Sequence, residues 1–494
     1  MRIRPEVDVL VCGGGTAGAI AAIAAARTGA RTVLVEQYGT VGGMAATGMS
    51  FLGVSDGRGR RALGGIGAEL LERLSAAGTA FDDRPDKQVG SVSVADPVAL
   101  QQVLLELLLD AGVAFLLHTF CVDAVTEATR VRGILAANKG GLETVLARTV
   151  VDATGDGDVA ARAGARFVLG RGEDGLAQPV TRIFRMSDVD TAAMLAYLRS
   201  HPEEMDLPER WDGGAAYTPA DLAAPSVVID AFPTLVAEAR RAGELSVARD
   251  RIGIETGPVP GVVTVNATRV HGVDGTDPDA LSRAEIETHR QMFEIVNFLR
   301  RRVPGFGRAR LLDSAYQVGV RETRHVCGDY VLTLDDVLSG RDFDDAVARG
   351  AYPLDLHDLR PGARVLGSRV GGGGVTLRRI ERSYAIPLRC LVPAGLDGLV
   401  VAGRAVSATH EAAGSVRGQA VCMATGHAAG VIAAMSAAAG VPPRRLDARA
   451  VRDTLRAQHA ILDGADSGIG GGRDSVTEGT PRAEGRDIAA RRVN

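Results

Sequence analysis

The feature that most constrains this chain is Gly13-x-Gly15-x-x-Gly18, set between an apolar run and an alanine-rich run. Val7–Cys12 reads as a buried strand, and Thr16 to Thr28 reads as a helix stopped by Gly29. Thr32–Glu36 is a second buried strand, so the segment predicts one βαβ unit of a parallel sheet. In that setting Gly13 permits the tight turn, Gly15 lets backbone approach a pyrophosphate, and Gly18 allows close helix–strand packing. The helix N-terminus, with Thr16 and Ala17 in its first turn, offers N–H donors and partial positive charge. Glu36 ends the second strand 21 residues after Gly15. It is placed to accept from both ribose hydroxyls and to repel a phosphate on the ribose, which argues against NADP. The motif implies a dinucleotide and leaves NAD and FAD open.

The α/β pattern continues. Asp96-Pro97 opens a helix to Leu109, followed by a strand around Val113–Leu117. Ala124–Glu127 and Val131–Ala137 predict a meander, and Thr149–Ala153 predicts a buried strand. From about Phe167 the texture changes: strand-like pieces (Thr181–Met186, Gly261–Val265) alternate with loops rich in Pro, Asp and Gly. Asp279–Arg302 predicts a long amphipathic helix presenting Ile286, Met292, Phe293, Val296 and Leu299. Leu399–Ala402 returns to a buried strand. Gly414–Ala439 predicts an alanine-rich helix and Ala448–Leu462 a last one. Asp463–Asn494 has little apolar content and predicts a disordered tail.

Composition removes several chemistries. All but two of the 56 basic residues are arginine, and neither Lys87 nor Lys139 sits in a P-loop or at an apolar strand end. Nucleotide hydrolysis of the Walker type and Schiff-base catalysis are therefore excluded. A net charge of −4 with interspersed signs gives no nucleic-acid stripe. The five cysteines are scattered without a C-x-x-C, so no metal site, redox dithiol or iron–sulfur centre is expected, and a reducing cytoplasm fits. Cys12, in the first strand, reads as core. No signal peptide or membrane span is expected.

Three further segments extend the nucleotide reading. Thr40-Val41-Gly42-Gly43-Met44 resembles the second glycine pair of FAD-dependent oxidoreductases. Thr149 to Asp156 resembles the Thr-x-hydrophobic-Ala-Thr-Gly segment of such enzymes, here Ala153-Thr154-Gly155-Asp156. Val400 to Arg404 is a strand and turn, followed by Glu411-Ala412-Ala413-Gly414-Ser415-Val416-Arg417 opening a helix. Such a helix N-terminus can face the flavin edge that carries negative charge when reduced. With Asn266–Val270, Val318–Arg324, Gly350–His357, Tyr384–Pro387 and the four segments together, Val7 to Ala438 resembles the FAD_oxidored family, distantly similar to fumarate reductase and succinate dehydrogenase flavoproteins.

The resemblance implies an α/β fold: a discontinuous Rossmann-like FAD-binding domain (1–165 and 385–445) with an inserted α+β substrate domain (166–384), then a terminal helix and tail (446–494). It implies FAD contacts from Gly13, Gly15, Thr16, Ala17, Gly18, Glu36 and Gln37. Gly42, Gly43, Met44 and Val122 follow, then Ala153, Thr154, Gly155 and Asp156. The last group is Gly403, Arg404, Glu411, Gly414, Ser415 and Val416. Covalently flavinylated relatives use a His beside the second glycine pair. Gly43–Thr47 has none, so FAD is expected to be non-covalent.

The catalytic candidates are His410 and the charged cluster Arg321, Glu322 and His325. Arg suits a carboxylate or carbonyl, and His suits proton transfer. The alternative reading of Arg321 and Glu322 is a structural ion pair. Tyr352, His357 and Tyr384 are pocket candidates that serve equally as packing. The expected activity is hydride transfer between a small organic substrate and flavin, with O2 or a carrier as acceptor and a homo-oligomer possible. A flavin monooxygenase and a non-catalytic electron-transfer subunit are the alternatives.

Overall fold

The computed structural model describes residues 2–205, 217–224, 226–361 and 375–464. The expected tail from 465 on, Trp211, and the glycine runs Gly371–Gly374 and Gly468–Gly472 lie outside them, while Asp463, the tail's expected first residue, is described and pairs with Arg452 and Arg456.

Two sheets organise the chain. The first contains β1 (Val7–Cys12), β2 (Thr32–Val35), β3 (Ala114–Leu116), β4 (Phe120–Glu127), β5 (Arg130–Asn138) and β6 (Gly141–Asp152). Its order is β3-β2-β1-β6-β5-β4, and the strands Arg2–Ile3 and Leu399–Val401 also pair with β6. β6 serves two structures. Its first half is antiparallel to β5 in the predicted meander; its second half runs parallel to β1 and to Leu399–Val401. The register aligns the carboxyl ends: Cys12 pairs with Val35 and with Asp152, and Asp152 pairs with Val401. The carboxyl edge of a parallel sheet is where α/β folds bind ligands. This mixed α/β architecture with a parallel core is the fold the sequence predicts.

The predicted first helix is α1 (Thr16–Arg27), almost wholly buried. The long helix α2 (Pro97–Asp110) is capped by Asp96, whose side chain accepts from the N–H groups of Val98 and Ala99.

The second sheet contains β7 (Ile183–Ser187), β8 (Val228–Ala231), β9 (Ile252–Thr256), β10 (Val263–Asn266) and β11 (Arg310–Ser314), in the order β8-β9-β10-β7-β11. Its side chains alternate between faces, as the strand period requires. Phe184, Met186, Ile229, Ala231, Ile252, Ile254, Val263 and Val265 share one core with α3 (Pro278–Arg302). The same helix departs from its predicted face. Met292, Val296 and Leu299 are buried, but Ile286 and Phe293 are exposed, their core places taken by Ile295 and Phe298.

The predicted helix Gly414–Ala439 is two helices, α4 (His410–Val416) and α5 (Gln419–Ala439), broken at Arg417-Gly418. Gly418 is extended, with φ −58° and ψ 144°. A Cβ on it would lie 2.2 Å from Tyr352 Cγ, so the chain passes against that ring where a continuous alanine helix cannot. α5 is apolar and long enough to cross a membrane, yet 89% of that stretch is buried in the protein. It packs on α1: Cβ atoms at Gly426 and Gly430 would each meet α1 carbonyl oxygens (Ala17 and Ala21) at 2.2 Å. The Gly-x-x-x-Gly spacing is thus a helix-packing device. A last helix, α6, covers Ala448–Ala457.

Candidate functional site

A cavity of about 810 Å³ runs from the Gly13–Thr16 turn to the second sheet, at the upper end of the volumes usual for ligand sites.

At the first end the wall is mainly backbone. Gly13 takes a positive φ (97°) and donates to the Val35 carbonyl at 2.8 Å, closing the strand-to-helix turn. A Cβ on Gly15 would find no atom nearer than 4.0 Å, so the helix N-terminus faces open space. The Gly42–Gly43 loop is tied to the same turn: Gly42 donates to the Gly14 carbonyl at 2.8 Å. Glu36 is 7% exposed and lines the cavity. Its carboxylate accepts from the Gly14 N–H at 2.5 Å and the Tyr38 N–H at 2.9 Å. Burial raises its pKa, partly offset by these backbone donors.

Asp152 shapes the next stretch. Buried at the end of β6, it accepts from Thr154 N–H and hydroxyl and from the Ala160 N–H. That folds Ala153, Thr154, Gly155 and Asp156 along the cavity. Arg404 clamps them, donating to the Gly155 carbonyl at 2.9 Å and pairing with Asp156 at 2.6 Å, and it also reaches the Val320 carbonyl.

The middle of the cavity is positive. Arg321 lines it and donates to the Pro179 carbonyl (2.6 Å) and the Thr181 hydroxyl (2.7 Å). Among the described residues no carboxylate is in ion-pair contact with it. Burial, then the nearby Arg417, push its pKa down to about 9. Arg417 holds Asp355 at 2.9 Å, beside Gly418 and Gln419 at the α5 N-terminus, all on the cavity. Asp355 is 3.1 Å from His357. Burial alone raises Asp355, but His357 and the two arginines outweigh it and hold the carboxyl well below its usual range. Burial, then Arg321, push His357 well below the usual imidazole range, so it is neutral.

The structure separates the predicted residues. Gly13, Gly15, Thr16, Ala17, Glu36, Gln37, Gly43, Met44, Ala153, Thr154, Gly155, Asp156, Gly403, Arg404 and Arg321 line one cavity. Gly18 and Gly42 lie beneath it as packing contacts; a Cβ on Gly18 would fall 1.8 Å from the Gly13 oxygen. Val122 does not line it: the β4–β5 pairing slips between Cys121 and Asp123, and Phe120 and Cys121 face the cavity instead. Glu411, Gly414, Ser415 and Val416 belong to α4 and are also off it. Ser415 bonds the Tyr352 carbonyl (2.5 Å) and the hydroxyl of fully buried Tyr384 (2.8 Å), so this part of the motif is internal support. Because the helix breaks at Gly418, the N-terminus facing the cavity belongs to α5.

His410, Glu322 and His325 meet behind the wall and do not line the cavity. One Glu322 oxygen is 2.7 Å from His410 Nδ1 and 2.8 Å from His325 Nε2, and the other accepts from the Gln178 N–H at 3.0 Å. Burial favours the neutral acid, but the two histidines outweigh it and hold Glu322 at about 2. The Arg321–Glu322 ion pair of the structural alternative is not formed: Glu322 takes the two histidines as partners, and Arg321 turns to the Pro179 carbonyl and the Thr181 hydroxyl instead.

The sequence reading missed Tyr38, Tyr316 and Gln317 above Glu36, Gln419 and Cys422 on α5, and Glu255 and Asn266 on the second sheet. The Gly418-Gln419 step carried a signal, a glycine inside an alanine-rich helix, and Asn266 opened the family-like segment Asn266–Val270; the others carried none.

The sequence matches the family described as FAD dependent oxidoreductase over residues 8–455. The chain belongs to that family. It is therefore an oxidoreductase with FAD as cofactor. No curated protein matches it. Among solved structures it is similar to a geranylgeranyl bacteriochlorophyll reductase-like protein of Thermoplasma acidophilum, at 12% identity over 93% of this chain and 85% of that one, with a TM-score of 0.42. It is similar to the flavin-dependent brominase Bmp2 at 14% identity, 92% and 83% coverage and a TM-score of 0.43. For a p-nitrophenol 4-monooxygenase from Pseudomonas putida the values are 12%, 67%, 70% and 0.38.

The residues fit the cofactor. The bare backbone at Gly15, the N-terminus of α1 and the buried carboxylate of Glu36 are the three elements a dinucleotide needs.

Proposed function

We propose that this chain binds FAD non-covalently and exchanges a hydride with a small organic substrate. The observation that supports this is one cavity joining the glycine turn to a separate side-chain wall on the second sheet. When bound, FAD supplies the two-electron chemistry.

The chain's own residues have distinct parts. The Gly13–Ala17 turn and Gly43 hold the diphosphate through backbone N–H groups, and Glu36 accepts from the ribose. Arg321, Arg417 and the N-terminus of α5 form a positive wall that favours negative charge on the reduced cofactor. Arg321 is suited to this because, among the described residues, no carboxylate neutralises it directly. His357 is neutral, held between Asp355 and Arg269, whose guanidinium is 3.0 Å from its Nδ1. It orients Asp355, which in turn fixes Arg417. Glu322 anchors His410 from behind, so His410 positions the loop before α4.

The test is direct. Purified protein reconstituted with FAD shows bound flavin absorption, and denaturation releases the flavin from the polypeptide. Anaerobic addition of substrate bleaches the flavin without NAD(P)H. Absence of bound flavin overturns the reading. Bleaching that depends on NAD(P)H and is stimulated by a substrate favours a monooxygenase.

A further inference from the structure

The far wall of the cavity is the open face of the second sheet. β7 to β10 turn their apolar side chains to the α3 side, so their alternate residues face the cavity. Two rows cross it. Asp230, Gly253 and Asn266 are cross-strand partners, as are Val228, Glu255 and Thr264. Gly253 has no room for a side chain in the first row: a Cβ there would lie 3.0 Å from Asp230 Oδ1 and 2.6 Å from the Asn266 carbonyl oxygen.

The charges on this wall are already matched. Asp230 is paired with Arg249 at 2.6 Å. Glu285, which also lines the cavity, is paired with Arg182, and Arg185, cross-strand from Thr264 and off the cavity, is paired with Asp313 and with Asp96. Among the described residues, one atom is left without a hydrogen-bond partner on each of two side chains of this face, Glu255 Oε2 and Asn266 Oδ1, and a third, Gln88 Nε2, in the turn of the neighbouring 84–93 hairpin. All three residues line the cavity; Glu255 is 5% exposed and Gln88 1%. An unmade hydrogen bond at a buried polar atom costs about 1–3 kcal/mol, so these three form an incomplete set that a ligand completes.

We propose that this face is the substrate subsite, that it takes a small uncharged molecule carrying a hydroxyl beside a carbonyl or amide, and that Glu255 accepts the hydrogen bond of that hydroxyl. Gln88 donates to the carbonyl, and Asn266 accepts from a second donor. The ligand is uncharged because the other charges on this face have their counter-ions and the unpaired Arg321 is assigned to the cofactor, whereas the unmatched atoms belong to two amides and one carboxyl. Burial pushes the Glu255 carboxyl up to about 7, with Ser50 offsetting part of this and Asp230 adding to it. The subsite rests on the assignment of FAD to the glycine end, which places the substrate on the remaining wall.

Four three-carbon probes of matched size test it: lactamide and propylene glycol (neutral), lactate (anionic) and isopropanolamine (cationic). Binding to the FAD-loaded protein is read from the ligand signals by saturation-transfer NMR, and flavin occupancy separately by absorbance. The neutral pair binds, and binding strengthens as pH rises through about 7, when Glu255 becomes the better acceptor. Glu255→Gln weakens it roughly threefold to tenfold and flattens the pH profile. Gln88→Ala, whose Nε2 has no hydrogen-bond partner among the described residues, weakens lactamide more than propylene glycol. Preference for lactate or isopropanolamine, or an unchanged pH profile in Glu255→Gln with flavin bound, overturns the subsite. A protein that takes up no FAD overturns the reading of the glycine end instead, and the ligand signals still decide the subsite.

Discussion

The two ends of the cavity are built from different materials. The glycine end is backbone: turns without side chains, a helix N-terminus, and one carboxylate held by N–H donors. The far end is the polar face of a sheet, where the chemistry lies in side chains at alternate positions of strands far apart in sequence. A backbone site tolerates almost no substitution because the chain itself is the surface. A side-chain site tolerates isosteric change and pays in function instead.

The sharpest way to break this contrast is at Gly18. A Cβ there would fall 1.8 Å from the Gly13 carbonyl oxygen, so Gly18→Ala must open the strand-to-helix turn. The expected result is loss of FAD binding and of about 3 kcal/mol or more of stability, measured by flavin absorbance and urea unfolding. Gly29→Ala is the control. Gly29 also has a positive φ (96°) but meets nothing within 4 Å. It should cost only about 1 kcal/mol of backbone strain and keep the flavin. A Gly18→Ala protein that binds FAD normally would show that close packing does not set the cradle.

Next in size is the ionic cluster behind the wall. Glu322→Ala leaves buried His325 and partly buried His410 without their carboxylate, an expected loss of about 3–5 kcal/mol. The pH dependence has a definite sign. Glu322 is held at about 2, below its ordinary 4.5, so its contribution is fully present above about 4.5 and is lost as pH falls through about 2. Denaturant titrations should show this acid slope in the wild type and not in Glu322→Gln. If His410 were instead the acid–base group, Glu322→Gln would change the pH–rate profile near neutrality with little change in acid stability.

The difference between the ends also explains what was legible. Gly13-x-Gly15-x-x-Gly18 and Glu36 are local, and each predicted role rests on contacts within one βαβ unit. The strands and α1 accordingly fell where the pattern placed them. The α4–α5 break was hidden because alanines around Gly418 favour one helix, while the steric reason for breaking it, Tyr352, is distant in sequence. The density of charge at Arg321–His325 was visible, but not that Arg321 faces the cavity while Glu322 and His325 turn away. Glu255 gave no signal at all. Its strand and its partners, Val228 and Thr264, are assembled only by the sheet.

At the glycine end a smaller effect is expected from Glu36→Ala. The variant removes the ribose acceptor and also the partner of the Gly14 and Tyr38 N–H groups. Hydrogen bonds to a charged acceptor contribute about 1.5–3 kcal/mol, so FAD affinity should fall roughly tenfold to a hundredfold, read by fluorescence titration. Unchanged affinity would mean that the ribose is held elsewhere.

The smallest effect has the opposite sign. Glu255 titrates at about 7 in the folded protein against an ordinary 4.5, because its carboxyl is buried with one oxygen unmatched. A raised carboxyl destabilises the fold once it must ionise. The cost is absent below about 4.5, grows as pH rises towards 7, and is complete above it. Glu255→Gln keeps the shape and removes the charge, so it should be more stable than the wild type by on the order of 1 kcal/mol at alkaline pH and equal to it in acid. Thermal unfolding across pH measures the difference. A residue whose removal stabilises the protein while weakening ligand binding is kept for function rather than for folding. An alkaline loss of stability in Glu255→Gln would show the opposite, a carboxylate that holds the sheet together, and would make the two ends of the cavity alike.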